Sequence, residues 1–161
     1  MTIPNKILVS GYQDDYEKGG NYEKLSADNE LVAGRVAARG TAVYQFKIWE
    51  TGEIAVGVFD KQISEPGLDA TYKYDENYAQ DGKSVDVLMG TGLVVNACLN
   101  DGATITIGDL LMAETATGKL VAYAFGGVAC AVALETDSPS GADNDAFKVR
   151  FLIDRQVDAA S

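Results

Sequence analysis

The feature that most limits the folds open to this chain is a strand–loop–strand pattern that occurs twice. In the first copy, residues 55–60 form a short run of small and β-branched residues that ends in an acid, and residues 83–88 follow with alternating side chains. In the second copy, residues 131–135 and 146–151 repeat this order. Alternation with a period of two is typical of a half-buried β-strand. The pattern predicts a rigid β-scaffold that presents loops, which favours assembly or binding over catalysis.

Turn-forming residues divide the rest of the chain into short segments. Glycine, asparagine and aspartate recur between apolar runs, and the sequence contains 17 glycines, which adopt the positive φ of tight turns without a steric penalty. No window of a dozen residues carries a convincing helical stripe. We therefore expect an all-β barrel or sandwich of about ten short strands. The expected strands are 31–38, 42–48, 54–59, 84–89, 93–99, 104–107, 110–113, 120–123, 128–134 and 147–153.

The chain divides into an arm, a domain and a tail. Residues 1–30 are polar, contain glycine and show little periodicity, so we expect an extended N-terminal arm. Residues 31–153 form the β-rich domain, which a long loop insertion at 62–82 interrupts, and residues 154–161 form a polar tail. Disordered segments are poor in aromatic residues, whereas this arm carries tyrosines, which are favoured at interfaces. We expect the arm to become ordered against a neighbouring subunit.

The net charge of the chain limits the classes of partner that it is expected to bind. It carries 24 acidic and 13 basic residues, which gives a net charge of −11. An acidic surface repels phosphate backbones, so we expect no nucleic-acid partner. The same charge suits a partner with a basic face, and it also keeps a concentrated protein in solution. No stretch approaches the roughly 20 apolar residues of a membrane span, so we expect no membrane partner.

The sequence contains no recognisable catalytic, cofactor or metal site. Histidine, the commonest general base and metal ligand, is absent, and no nucleophile elbow, phosphate loop or dinucleotide fingerprint occurs. The carboxylate pairs Asp14–Asp15 and Asp143 with Asp145 fall in expected loops, where they are solvated. Asp137 and residues 143–145 offer oxygen ligands for calcium, but their spacing does not match the twelve-residue calcium loop. We expect neither an enzyme nor a bound cofactor.

Three residues each admit two interpretations. Cys98 and Cys130 lie in apolar runs, which favours buried free thiols. A disulfide between them would require α-carbons within about 7 Å, which spacing along the chain does not establish. Trp49, the single tryptophan, is either a core residue or an interface anchor.

An ordered series of short β motifs runs through the domain. Its members are VAGRV at 32–36, AVGV at 55–58, DG at 101–102, GDLL at 108–111, TGKLV at 117–121, VALE at 132–135 and FKVRFL at 147–152. This series resembles the head decoration, or cement, proteins of tailed double-stranded DNA viruses. The resemblance covers residues 31–153, and the length of the arm and the 62–82 insertion depart from it.

The resemblance implies a structural virion protein of a bacteriophage without catalytic activity. Such a protein is made in the host cytoplasm, binds the outside of an icosahedral capsid and stabilises the shell by bridging capsomers. Its implied partners are the major capsid protein and further copies of itself, arranged as a homotrimer. In that family an N-terminal arm often docks on the major capsid protein, which fits the tyrosine-bearing segment of this chain.

The candidate contact residues are the apolar anchors and tyrosines of the arm, followed by the tyrosines of the insertion. They are Ile3, Pro4, Ile7, Leu8, Tyr12, Tyr16, Tyr22, Tyr72, Tyr74 and Tyr78. If the arm is an appendage, deletion of residues 1–25 should leave the domain folded and abolish particle binding. The alternative function is a monomeric carbohydrate-binding β-sandwich module on a virion or cell surface, in which Tyr72, Tyr74 and Tyr78 form a platform for sugars.

Overall fold

Strands alone make up the regular structure of the described residues. The computed structural model describes residues 8–10, 15–23, 33–42, 45–60, 84–89, 92–100, 104–136 and 145–151. Within these ranges there are eleven β-strands and no helix, which confirms the expected all-β class. The strands are β1 (Leu8–Ser10), β2 (Asp15–Tyr22), β3 (Val36–Arg39), β4 (Gln45–Ile48), β5 (Gly57–Phe59), β6 (Ser84–Met89), β7 (Val94–Leu99), β8 (Leu110–Ala113), β9 (Leu120–Ala122), β10 (Ala129–Ala133) and β11 (Asp145–Phe151).

Five strands close into a small barrel in the order β2-β4-β3-β5-β6. Strand β2 runs parallel to β4, and the other four pairings of the barrel are antiparallel. The pairing of β2 with β6 completes the ring. Strand β2 reaches β4 only at Asn21 and Tyr22, whereas it pairs with β6 along most of its length, so the barrel closes at the C-terminal end of β2.

The other six strands form a sheet in the order β1-β7-β11-β10-β8-β9, and its successive pairings are antiparallel. One additional parallel pairing, between Leu99 of β7 and Leu120 of β9, joins the far end of this sheet back to β7. The strands from β7 to β9 therefore also form a ring, and β1 pairs with β7 at Val94 and Val95.

The repeated strand–loop–strand pattern of the sequence becomes one antiparallel pair in each sheet. In the barrel, β5 pairs with β6, with Val58 opposite Leu88. In the second sheet, β10 pairs with β11, with Val132 opposite Arg150. The two copies therefore occupy equivalent positions as neighbouring strands, which agrees with the scaffold expected from the pattern.

A short segment before β3 joins the two sheets through the backbone of Gly34. Its N–H donates to the carbonyl of Phe59 in the barrel at 2.8 Å, and its carbonyl accepts from the N–H of Cys98 in the second sheet at 2.9 Å. Gly34 has a φ of +91°, and a Cβ at this position would lie 3.1 Å from the carbonyl oxygen of Asn96. Only glycine adopts this positive φ without strain and also has no Cβ to contact the neighbouring backbone.

Gly118 makes a second close contact between the sheets. Its carbonyl accepts from the N–H of Val36 at 2.8 Å. With a φ of +65°, its backbone lies so near β3 that a Cβ would come within 2.9 Å of the Val36 carbonyl and 3.0 Å of Ile48. The preceding residue, Thr117, accepts a hydrogen bond at its carbonyl from Nη1 of Arg35 at 3.1 Å.

The two sheets share one hydrophobic core. Buried side chains from the barrel and from the second sheet belong to a single contiguous cluster. Its largest fully buried members are Phe46, Phe59, Phe151, Ile48, Leu93, Leu99, Ile105, Leu111 and Leu120. Burial of apolar surface is the main driving force of folding, so the barrel and the second sheet stabilise each other.

Nine of the ten expected strands overlap an observed one. The exception is 104–107, where only Ile105 is buried and the chain then turns through residues 106–109. Strands β1 and β2 were not expected, because residues 8–10 and 15–22 were assigned to the arm. They pair with β7 and with β4 and β6, respectively, so these parts of the expected arm belong to the sheets.

The polar sequence of β2 explains why periodicity did not reveal it. Strand pairing needs only backbone N–H and C=O groups, and the register of β2 against β6 shifts between Glu17 and Gly20, which breaks the alternation of faces. The expected contact of the arm with a neighbouring subunit stays a prediction. The insertion at 62–82 and the tail at 154–161 lie outside the described residues.

Replacing Gly34 by alanine should destabilise the protein more than the same change at Gly52. Gly52 has a nearly identical φ of +89° but open space around its Cβ position, so its alanine variant measures the backbone cost alone, about 1 kcal/mol. Gly34→Ala adds crowding against Asn96 and Cys98 and should cost about 2–3 kcal/mol. Urea unfolding of both variants gives the two values, and equal losses would contradict the close approach of the sheets.

Deletion of residues 1–25 should unfold the barrel, contrary to the expectation from an appended arm. The deletion removes β2 and exposes the edges of β4 and β6, which β2 joins in the structure. We expect a lower unfolding midpoint in urea and a tendency to aggregate. Deletion of residues 1–7 is the control, because it removes no described strand. An unchanged midpoint in the longer deletion would show that β2 is dispensable for the fold.

Candidate functional site

Large apolar side chains remain exposed at four places in the described residues. Phe125 is 86% exposed, Ile54 69%, Ile107 64% and Leu110 37%. Single exposed hydrophobic residues are common on protein surfaces and need no explanation. A functional interpretation therefore depends on which of them lies beside other apolar surface.

Phe125 is held at the second position of a tight turn between β9 and β10. The N–H of Gly127 donates to the carbonyl of Ala124 at 3.0 Å, and Gly126, at the third position, has a φ of +87°. This combination is typical of a type II turn, which requires glycine at its third position. The turn packs directly on β8, because a Cβ at Gly127 would lie 2.5 Å from Sδ of Met112. Phe125 therefore projects from an ordered turn.

Ile107 occupies the same position in a second turn of this kind. The N–H of Asp109 donates to the carbonyl of Thr106 at 3.0 Å, and Gly108 has a φ of +91°. The Asp109 carboxylate accepts from the N–H of Thr106 at 2.8 Å, which fixes the turn further. The two turns thus display one apolar side chain each in the same local geometry.

An apolar groove lies beside Phe125, and Ile107 is not among its lining residues. Its volume is about 650 Å³. One side is the loop after β4, a second is the hairpin β8–β9, and a third is the turn that carries Phe125. The lining residues are Trp49, Thr51, Gly52, Met112, Ala113, Glu114, Thr115, Val121, Ala124, Phe125, Gly126, Gly127 and Val128. Both sheets therefore contribute to the groove.

The apolar floor of the groove consists of side chains that point to the outer face of strands β8 and β9, because successive side chains along a strand alternate between its two faces. On β8, Leu111 and Ala113 are buried in the core, whereas Met112 between them is only half-buried. Met112 lies opposite Val121 of β9, so these two side chains share the outer face of the hairpin. Trp49 closes the side formed by the barrel, and its Nε1 donates to the carbonyl of Glu53 at 2.9 Å.

The loop that contributes Trp49 and Gly52 is fixed by a third turn. The N–H of Glu53 donates to the carbonyl of Glu50 at 3.2 Å, and the intervening Gly52 has a φ of +89°. The N–H of Thr51 then donates to Oγ1 of Thr115 on the opposite wall at 3.1 Å. The two walls of the groove are therefore linked by a hydrogen bond.

Among the charged residues near the groove, the acidic side chains are more exposed to solvent than their basic partner. Lys47 forms ion pairs with Glu50, at 3.2 Å, and with Glu53, yet its side chain is only 10% exposed while those of the two glutamates are 42% and 29% exposed. The hydrogen bond to Glu53 raises the pKa of Lys47, and burial opposes this effect. Glu114, which lines the groove, accepts from Nδ2 of Asn100 at 2.8 Å and from Oγ1 of Thr117 at 2.6 Å.

Of the contact residues expected from the sequence, three lie in described strands. Leu8 belongs to β1, and Tyr16 and Tyr22 belong to β2. Outside the described residues lie Ile3, Pro4, Ile7, Tyr12, Tyr72, Tyr74 and Tyr78. Trp49 was interpreted either as a core residue or as an interface anchor. It is buried, at 8% exposure, and it also lines the groove.

Sequence reasoning did not single out Phe125. Gly126 and Gly127 are typical turn residues, and Phe125 directly precedes them. A large apolar residue followed by glycine in a turn between two strands was the available signal, since the second position of a type II turn faces away from both strands. The same signal is present at Ile107 and Gly108.

The cysteines and acids of the described residues form no reactive or metal-binding cluster. Both cysteines are buried and free, which agrees with the thiol interpretation, and Sγ of Cys98 donates to the Ala33 carbonyl at 3.2 Å. Burial raises the pKa of Cys130 to about 12, which suppresses its thiolate. No group of three or more potential metal ligands occurs within the ranges the structure describes, and of the candidate calcium ligands Asp137 and residues 143–145 only Asp145, at the start of β11, lies within them.

Comparison with known proteins does not place the chain in a family. No protein-family model matches it, and no curated protein matches it either. Across the described ranges, no helix is long and apolar enough to cross a membrane. The fold and the groove thus define an all-β protein in which two joined sheets carry an apolar surface groove with an exposed aromatic residue at its edge.

Replacing Lys47 by methionine should lower stability by about 1 kcal/mol at pH 7, because it removes a partly buried ion-pair partner of Glu53. The folded-state pKa of Lys47 lies above its ordinary value, so its contribution is complete below about pH 10.4 and is lost as the pH rises through the folded-state pKa. Urea unfolding of wild type and variant should differ by a constant amount from pH 7 to about pH 10 and converge above it.

Lys47→Arg is the matched control for this measurement. The arginine keeps its charge throughout the alkaline range, so its advantage over the methionine variant should persist above pH 10. A difference between wild type and Lys47→Met that stays constant to pH 12 would show that the charge of Lys47 does not contribute to stability.

Proposed function

We propose that this chain is a structural protein of a virion that decorates the outside of an icosahedral bacteriophage capsid and stabilises it by bridging capsomers. The observation that carries the proposal is the apolar groove of about 650 Å³ with Phe125 held out to solvent at its edge. Contiguous exposed apolar surface marks a site of interaction with another molecule. The chain acts by binding and performs no catalysis.

The loops that form the groove are held in one conformation, which supports a binding role. The turns at 50–53 and 124–127 are closed by hydrogen bonds and carry glycine at the position with positive φ. A surface that is already ordered loses little conformational entropy on binding, so more of the contact free energy appears as affinity. Aromatic residues at the centre of an interface commonly carry most of its binding free energy.

The scaffold suits a protein that is present in many copies at close distance. In the barrel each strand has a partner on both sides over at least part of its length, which limits unwanted strand pairing by a neighbouring copy. The net charge of −11 keeps the free protein in solution. On a lattice, repetition raises the effective concentration of each contact, so individually weak contacts hold the shell together. The proposed partners are the major capsid protein and two further copies of this chain in a trimer.

The groove favours a protein partner over a sugar. Sugars need many hydrogen-bonding groups, and the side chains of Trp49, Glu114 and Thr115 in the lining already make hydrogen bonds within the chain. Glu114 accepts from Asn100 and Thr117, and Thr115 accepts from the backbone of Thr51. The tyrosines of the alternative carbohydrate platform lie outside the described residues, so that alternative stays a prediction from the sequence.

The test is binding to capsids assembled from the major capsid protein of the virus whose genome encodes this chain. The full chain should co-sediment with these capsids up to a fixed number of copies per capsomer and should raise the temperature at which they break open. An unrelated folded protein of similar net charge is the control for adsorption that does not depend on this surface. Absence of co-sedimentation would refute the proposal, and binding on a glycan array would support the carbohydrate alternative.

A further inference from the structure

We propose that the groove receives an apolar side chain carried by a lysine- or arginine-bearing segment of the major capsid protein. This inference rests on the proposed function and identifies which surface of this chain meets the capsid and what chemistry that surface recognises. The groove that carries it combines an apolar lining, an acidic surround and a fixed aromatic edge.

The lining determines that the inserted group is apolar. Met112, Val121, Val128 and Trp49 present aliphatic, thioether and aromatic surface. Methionine is unbranched and adapts its shape to an inserted group, which suits Met112 to a floor position. A volume of about 650 Å³ lies in the range of sites that hold a bound molecule.

The surrounding charge determines that the segment is basic. Lys47 of β4 is nearly buried, while its partners Glu50 and Glu53, in the loop that contributes Trp49 and Gly52 to the groove, are partly exposed. Glu114 lines the groove itself. A basic segment complements these carboxylates and is also attracted by the net charge of −11. A lysine or arginine can in addition lie over the exposed ring of Phe125.

The same charge argues against a second copy of this chain as the occupant. In a symmetric contact, the carboxylates of Glu50, Glu53 and Glu114 would face their own counterparts, so the trimer proposed above forms through another surface. Apolar contact through the groove would then bring together two acidic surrounds without a compensating cation. The capsid protein is the partner that the charge favours.

Phe125 is the residue whose removal tests the groove. Its side chain is 86% exposed, so truncation should leave the fold intact. Ile107 offers a matched control because it is 64% exposed at the same position of a similar turn but does not line the groove. The variants Phe125→Ser and Ile107→Ser therefore remove comparable apolar surface from one site inside the proposed interface and one outside it.

Binding of the full chain to the capsids described above gives the first measurement. We expect Phe125→Ser to weaken binding by about tenfold or more and Ile107→Ser to leave it unchanged. Raising the salt concentration from about 50 to about 300 mM should weaken binding of the wild type, because it screens the attraction of opposite charges. Equal urea midpoints of the two variants would show that both are folded.

The outcomes separate this inference from the proposed function. If the wild type does not bind capsids, the proposed function and this inference both fail. If the wild type binds and Phe125→Ser binds equally well, the chain decorates the capsid through another surface and only the groove inference is overturned.

A photo-crosslinking phenylalanine analogue at position 125 provides the second measurement. On irradiation with capsids, it should attach to a peptide of the major capsid protein that contains lysine or arginine beside an apolar residue. The same analogue at position 107 is the control and should give no such product. A crosslink from position 125 to another copy of this chain, or to an acidic capsid peptide, would overturn the inference.

Discussion

The fold depends on the close approach of two backbones at Gly34. Its N–H bonds to the barrel, its carbonyl bonds to the second sheet, and no side chain fits between them. Gly118 repeats the arrangement against β3 from the other sheet. Since the core runs without interruption from one sheet into the other, any residue that separated the backbones would also open a gap in the buried apolar surface. The position of each wall of the groove follows from this junction, because one wall belongs to each sheet.

The sequence was sufficient for the fold class and for most strands because glycine-rich turns and alternating side chains are local signals. It placed β5, β6, β10 and β11 well, since each is apolar on at least one face. It did not reveal β2, whose residues are polar and whose pairing depends on the edges of β4 and β6, which are distant along the chain. A strand of this kind is defined by its partners and has no periodic signal of its own.

The candidate site was harder to predict than the fold because, like β2, it depends on residues that are distant along the chain. Trp49, Met112 and Phe125 are far apart in sequence, and each alone is typical of an ordinary strand or turn residue. Their proximity arises only when the second sheet closes on the barrel. The tyrosines proposed as contact residues are close together along the sequence. Such clustering indicates segments that favour interfaces, but it does not show where apolar surface is exposed in the fold. The acidic surround of the groove depends likewise on burial of Lys47, which composition does not reveal.

The position of Trp49 gives this protein a built-in spectroscopic reporter. It is the single tryptophan of the chain, so the indole emission of the protein comes from one ring. That ring lines the groove, while its Nε1 is fixed by the carbonyl of Glu53. A change in the hydration of the groove therefore alters the environment of the only emitting indole, whereas events at distant parts of the surface leave it unchanged. The emission spectrum is thus a label-free optical readout of whether the groove is filled with water or with another molecule.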